Sequence, residues 1–147
     1  MEPLVRVKRV RPRLAALPAY QSPGAAGLDL TAAIEQELSL APLERASIPT
    51  GLAFEIPERF EGQVRARSGR ALNDGLTLIN SPGTIDSDYR GEVCLLVVNL
   101  GRQAVVIRPG ERIAQLIIAP VAQARLEEAA ELGPSLRGDK GFGHTGR

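Results

Sequence analysis

Residues Gly83 to Leu100 read GTIDSDYRGEVCLLVVNL, and the rest of the chain is interpreted from this stretch. Its second half is a short apolar run rich in β-branched valine, the signature of a buried strand. Its first half crowds Asp86, Asp88 and Glu92 together with Arg90 and Tyr89, one of only two tyrosines. That acidic interruption is either a charged turn between strands or a reaction centre.

Working outward, the same grammar repeats. LSLAPLERASIPTGLAFEI, QVRARS, LTLI, QAVVIRPG and RIAQLIIAPV are short Val, Ile and Leu segments, punctuated by 15 glycines and 11 prolines. Many short strands with regular turn signals predict an all-β sandwich or barrel. One helical turn is expected at RALNDG, after Arg67. VAQARLEEAAEL, from Val121 to Leu132, combines good helix formers with an equivocal apolar spacing, so helix and strand both stay open there. Cys94, inside VCLLVVNL, reads as a small buried side chain rather than a nucleophile.

A chain of 147 residues suits one domain with one core. Eighteen basic residues against 17 acidic ones give no global field for nucleic acid or membrane, so any anion site must be built locally. One cysteine excludes a disulfide framework. The basic N-terminus, MEPLVRVKRVRPR, lacks the apolar segment of a signal peptide, and no run is long enough to span a membrane, so a cytoplasmic protein is expected. Val5, Val7 and Val10 are spaced like one face of an edge strand with solvated arginines opposite, which is favoured over a nucleic-acid arm.

Composition shifts at Gly133. GPSLRGDKGFGHTGR holds five glycines, three basic residues and one aromatic ring. Such a tail cannot fold alone, and it reads either as a frayed terminus or as backbone that wraps a phosphorylated planar ligand. The chain thus divides into a β domain, residues 1–132, and an arm, residues 133–147.

Five glycine-bearing segments break the strand pattern: GAAGLDL, RARSGRA, NSPGTIDSDYRGE, GERIAQL and the tail. They bring Arg67, Ser68, Gln115 and Arg137 as donors suited to phosphate oxygens, with Asp29 and Asp86 as the nearby acids. The ordered set AAGLDL, RSG, NSPGTIDSDYRGE, RIAQLI and RGDKGFGHTG resembles the five motifs of the trimeric dUTP pyrophosphatases, the dUTPases, from about Val5 to Gly146.

The resemblance implies a jelly-roll-like β fold in a homotrimer with shared sites, hydrolysing dUTP to dUMP and pyrophosphate with Mg²⁺. That activity keeps uracil out of DNA and supplies dUMP for dTTP synthesis. By resemblance, Asp86 is the general base that activates water, and Asp88 is a structural acid. Asn80 and the backbone of Gly83, Thr84 and Ile85 belong to a uracil-binding hairpin, and Tyr89 packs under deoxyribose, excluding a 2′-hydroxyl. Fixed donors and acceptors reject cytosine, because each mispaired buried group costs about 1–3 kcal/mol.

Arg67, Ser68, Gly69 and Gln115 resemble the triphosphate ligands, and Asp29 the supporting acid of the first motif. No protein metal ligand is implied, since Mg²⁺ rides readily on phosphate oxygens and water. The tail becomes a lid, with Arg137 for the terminal phosphate, Phe142 stacked on uracil, and Thr145 for phosphate oxygens. His144 stands where serine is usual and reads as a phosphate-side donor or a solvated residue, not a base. Arg70 follows RSG where an aliphatic residue is common, which predicts a more basic surface beside the phosphates. Leu28 replaces a frequent tyrosine. The rival readings are a dCTP deaminase-like enzyme and a catalytically silent nucleotide-binding β-barrel.

Overall fold

The computed structural model describes residues 2–141. Ten strands follow in chain order: β1 (Arg6–Arg9), β2 (Leu28–Thr31), β3 (Leu38–Leu40), β4 (Arg45–Glu55), β5 (Phe60–Ala66), β6 (Leu76–Leu78), β7 (Gly83–Ile85), β8 (Glu92–Asn99), β9 (Val105–Ile107) and β10 (Arg112–Pro120). One helix, α1 (Ser68–Asp74), separates β5 from β6, where the single helical turn was expected. Two four-stranded sheets, ordered β1-β4-β8-β6 and β2-β10-β5-β7, enclose the core, with β3 and β9 as a separate pair. The pairings are antiparallel, and the sheets stay open as a jelly-roll-like sandwich instead of closing into a barrel.

Period-two alternation explains which side chains enter the core. On β8, Val93, Leu95 and Val97 are at most 1% exposed and meet Leu30, Ile48, Leu52 and Leu116 from the other strands. The same alternation turns Cys94 and Leu96 to the opposite face. Cys94 is therefore exposed, correcting the buried reading drawn from the apolar run. Burying a Leu or Val side chain contributes about 1.5–3 kcal/mol, so the inward face of β8 contributes several such increments.

Buried polar groups are satisfied where the strands bend. Thr50 Oγ donates to Val93 O at 2.7 Å and accepts from Leu52 N at 3.2 Å, bridging a register shift between Pro49 and Ala53 on β4. Gly51 sits inside that shift at φ +71°, and a Cβ there would lie 2.6 Å from Ala15 Cβ. Asn99 Nδ2 donates to Leu40 O and Gln103 O, and its Oδ1 accepts from Gly101 N, so one buried amide ties three segments.

β1 is the edge strand on β4, as the valine spacing anticipated, with Arg6 opposite Glu55. Val5 packs against the core, whereas Val7 and Val10 remain partly exposed. Residues 121–132 form neither helix nor strand. Their helix propensity is not realised because Leu126 and Leu132 find no apolar partner and stay about nine-tenths exposed. Without packing, a helix of that length is marginal in water.

Candidate functional site

The candidate residues gather in two places. The first is the turn after β7. β7 lies along β5, with Gly83 opposite Val64 and Ile85 opposite Gly62. β8 pairs with β4 and β6 in the other sheet. The stretch expected as a hairpin is therefore a corner that carries the chain between sheets. Tyr89 N donates to Asp86 O at 3.1 Å, closing the turn, and Arg90 Nη1 folds back onto Ser87 O and Tyr89 O.

Tyr89 Oη donates to Glu92 O at 3.0 Å, and its ring lies against Gly91, where any Cβ would collide with the phenol. Asn80 covers Gly83, its Nδ2 only 3.1 Å from where a Cβ would stand. Asp86 is exposed and, among the described residues, enters no ion pair. It borders a cleft of about 1130 Å³ with Thr84 and Asp88, in which Glu58 and Glu61 add further negative charge.

The foot of this corner is anchored by Glu92. Arg11 Nε and Nη2 donate to its two oxygens at 2.8 and 3.2 Å, and Gly51 N donates to Oε1 at 2.9 Å. The Arg11 hydrogen bond first, and the Gly51 amide with the guanidinium charge next, hold the Glu92 carboxyl below the usual range against the opposing effect of burial.

The second place is a pocket of about 570 Å³ between β2, β10 and the start of α1. Asp29, only 11% exposed, lies between two guanidinium groups: Arg67 Nε is 3.3 Å from Oδ1 and Arg112 Nη1 is 3.1 Å from Oδ2. Arg67 Nη1 also donates to Arg112 O at 3.2 Å, and Arg112 reaches Gln21 Oε1 at 3.4 Å. Gln115 Nε2 donates to Ala66 O at 3.2 Å. Its Oε1 rests on Gly27, where a Cβ would lie 2.5 Å away. Ser68 and Gly69 are exposed on the rim, and nothing stands within 4 Å of a Cβ at Gly69.

The structure thus collects Asp29, Arg67, Ser68, Gly69 and Gln115 around one pocket, and Asn80, Gly83, Thr84, Ile85, Asp86 and Tyr89 around one corner. It does not join the two. Asp86 leaves β7 level with Glu61, and Arg67 follows the far end of β5, six residues or about 20 Å along the strand. Arg137 is apart from both, folded onto its own turn with Nε donating to Lys140 O at 2.9 Å. Phe142, His144 and Thr145 lie outside the described residues.

Two pocket residues escaped the sequence reading. Arg112 precedes IAQL, and nothing local marks it, because its place opposite Thr31 and beside Asp29 is set by strand register. Gly27 was noted only as part of a loop. Arg70 needs a correction: its charge does not make the surface more basic, because it is taken up by Glu111 and by Asp74, whose Oδ2 is 2.9 Å from Nε.

The dUTPase family model matches residues 13–146. The chain belongs to the dUTPase family. It is 61% identical over 132 residues to a deoxyuridine 5'-triphosphate nucleotidohydrolase of Rhizobium etli, covering 88% of this chain and 85% of that one. A second, from Syntrophotalea carbinolica, is 53% identical over 142 residues, covering 97% and 96%. Among solved structures, a point mutant of the Staphylococcus bacteriophage 80alpha dUTPase with dUpNHpp superposes with a TM-score of 0.90 at 28% identity, covering 98% of this chain and 99% of that one. An Asp-to-Asn mutant of the dUTPase of phage phi11 of S. aureus, described with a structural Mg(II) ion, gives 0.79 at 25% identity, covering 87% and 97%.

Proposed function

We propose that this dUTPase-family protein hydrolyses dUTP to dUMP and pyrophosphate. The observation that carries the proposal is the gathering of Asp29, Arg67, Ser68 and Gln115, from three separate stretches, around one pocket of donors suited to phosphate oxygens. Asp86 accepts a proton from water as the water oxygen bonds the α-phosphorus. The bond from that phosphorus to the bridging oxygen breaks, and pyrophosphate leaves with the electron pair. Asp86 suits this role because its carboxylate is not neutralised by a neighbouring cation among the described residues.

The corner supplies Asn80 and the Gly83, Thr84 and Ile85 backbone to uracil, with Tyr89 as the floor for deoxyribose. Its hydroxyl bond to Glu92 O and its contact with Gly91 fix the ring. Arg67, Ser68, Gly69 and Gln115 bind the β- and γ-phosphates, each charge-assisted contact contributing roughly 1.5–3 kcal/mol. Residues 133–147 act as an arm that closes over the nucleotide, with Arg137, His144 and Thr145 on phosphates and Phe142 on the base.

One nucleotide cannot touch Asp86 and Arg67 of the same chain across about 20 Å. A homotrimer that sets the acidic cleft of one copy against the arginine-lined pocket of another provides both. Mg²⁺ fits as a passenger on the triphosphate, since Asp29 is committed to Arg67 and Arg112 while Ser68 and Gln115 suit phosphate oxygens. When bound, it neutralises charge on the phosphate oxygens. No helix among the described residues is long and apolar enough to cross a membrane, and a cytoplasmic location fits a nucleotide substrate.

Pyrophosphate release measured side by side on dUTP, dCTP, dTTP and UTP tests the reading. Appreciable release from dUTP alone is expected. Ammonia from dCTP would point to a deaminase, and silence on all four to a binding protein.

A further inference from the structure

The α1 helix carries the phosphate rim, yet little holds it. It has seven residues, no buried side chain and no side-chain cap at Arg67, and Leu72 is 87% exposed. A helix of this length gains nothing from propensity alone. Its C-terminal end is fixed by backbone: Gly75 takes the left-handed conformation at φ +71°, Leu100 N donates to Gly75 O at 2.9 Å, and Gly101 packs so tightly that a Cβ would lie 2.5 Å from Asp74 O. The pocket-facing end has two ties to the start of β10. One is Arg67, through Asp29 and Arg112 O. The other is Arg70, whose Nη1 contacts Glu111 Oε1.

These ties differ in what substrate does to them. Arg67 must share its guanidinium with phosphate, which weakens its hold on Arg112 O. Arg70 is 18% exposed and ion-paired with Glu111 and Asp74, so it keeps its partners when the pocket fills. Glu111 is itself fixed, its Oε2 accepting from Arg108 N at 2.9 Å within the turn that leads directly into Arg112. Arg70 therefore connects the helix bearing Ser68 and Gly69 to the strand bearing Arg112 and Gln115.

We infer that Arg70 is a positioning residue for the β- and γ-phosphates, acting through Glu111 to hold α1 at a fixed spacing from β10. The inference rests on the dUTP-hydrolysing reading and adds a residue to it. Arg70 stabilises the distance across the pocket without touching substrate. Its single charge is outweighed by the two carboxylates of Asp74 and Glu111, which leaves the phosphate-facing positive charge to Arg67 and Arg112.

The test is steady-state kinetics on dUTP together with inhibition by dUMP, which lacks the two outer phosphates. R70L is expected to raise KM for dUTP about five- to tenfold with kcat within about twofold and dUMP inhibition unchanged. E111Q, which leaves Arg70 in place but frees it, is expected to do the same. The charge-exchanged double variant R70E/E111R is expected to recover most of the KM lost in R70E.

An unchanged KM in both R70L and E111Q overturns the inference. So does a normal KM in E111Q beside a raised one in R70L, which would make Arg70 a direct phosphate ligand. Equal loss of dUTP and dUMP binding also overturns it, by showing general loosening of the site. Should R70L fail to fold, E111Q and the exchange pair decide alone. Wild-type protein inactive on dUTP removes the functional reading itself, a result distinct from an active wild type whose variants match it.

Discussion

The pocket proposed for phosphate and the Asp86 corner are built on opposite electrostatic plans. In the pocket every charge has a partner before substrate arrives: Asp29 with Arg67 and Arg112, Arg70 with Glu111 and Asp74. At the corner the one acid assigned to chemistry is exposed and unpaired among the described residues, while the charge that matters structurally, Glu92, is set at its foot. A site for a polyanion benefits from arginines held in place, because ordering long side chains during binding costs affinity. A general base cannot be treated that way, since a guanidinium beside it would suppress its proton affinity.

The comparison is broken most severely at Asp86. D86N keeps the shape of the turn and removes the base, so kcat should fall by about 10³-fold or more, with dUTP still bound in titration calorimetry. Hydrolysis near the wild-type rate would mean that the corner has no chemical role.

An intermediate effect is expected at Gly27, in the pocket. A methyl there meets first the far end of the Gln115 side chain, 2.5 Å from Oε1, which can swing away, and then Gln115 Cβ at 3.2 Å, which must give by a few tenths of an ångström. G27A should therefore leave the melting temperature close to wild type while raising KM for dUTP about tenfold, the equivalent of one lost charge-assisted contact. A large drop in melting temperature would show that the glycine serves the fold and not the position of Gln115.

The smallest effect concerns the foot of the corner and is read by pH. Because Arg11 and the Gly51 amide depress the Glu92 pKa in the folded state, the stability it contributes is fully present above the unfolded value of about 4.3 and is lost as pH falls through the folded one. Melting temperature should decline on acidification below about pH 4.3, and E92Q should flatten that decline while lowering stability at neutral pH. Identical acid profiles for the two proteins would show that the clamp does not contribute.

The sandwich was legible because alternation is a local property: the Val93, Leu95 and Val97 series writes one face of β8 directly into the sequence. RALNDG likewise announced α1 through its residues, closed by Gly75 in a left-handed turn that favours glycine. Cys94 was misread because an apolar run was taken as wholly buried, when period two sends every second residue outward. Residues 121–132 misled in another way, since propensity there has no packing to support it. In the candidate site, Arg67, Ser68 and Gln115 were visible as motif residues, but Arg112 was not. The partner that gives it meaning, Asp29, is 83 residues away.

Residue chemistry along the chain, by itself, determined most of the strands, the turns and which side chains are donors suited to phosphate, because each depends on groups within a few positions of one another. The expected uracil and proton roles came from the motif resemblance. Only the tertiary structure decided that Asp29 bridges two arginines, that Arg70 is tied to Glu111, and that Asp86 and Arg67 stand about 20 Å apart along β5. Those facts depend on strand register and on which strands become neighbours, which is settled by burying the core as a whole and not by any one segment.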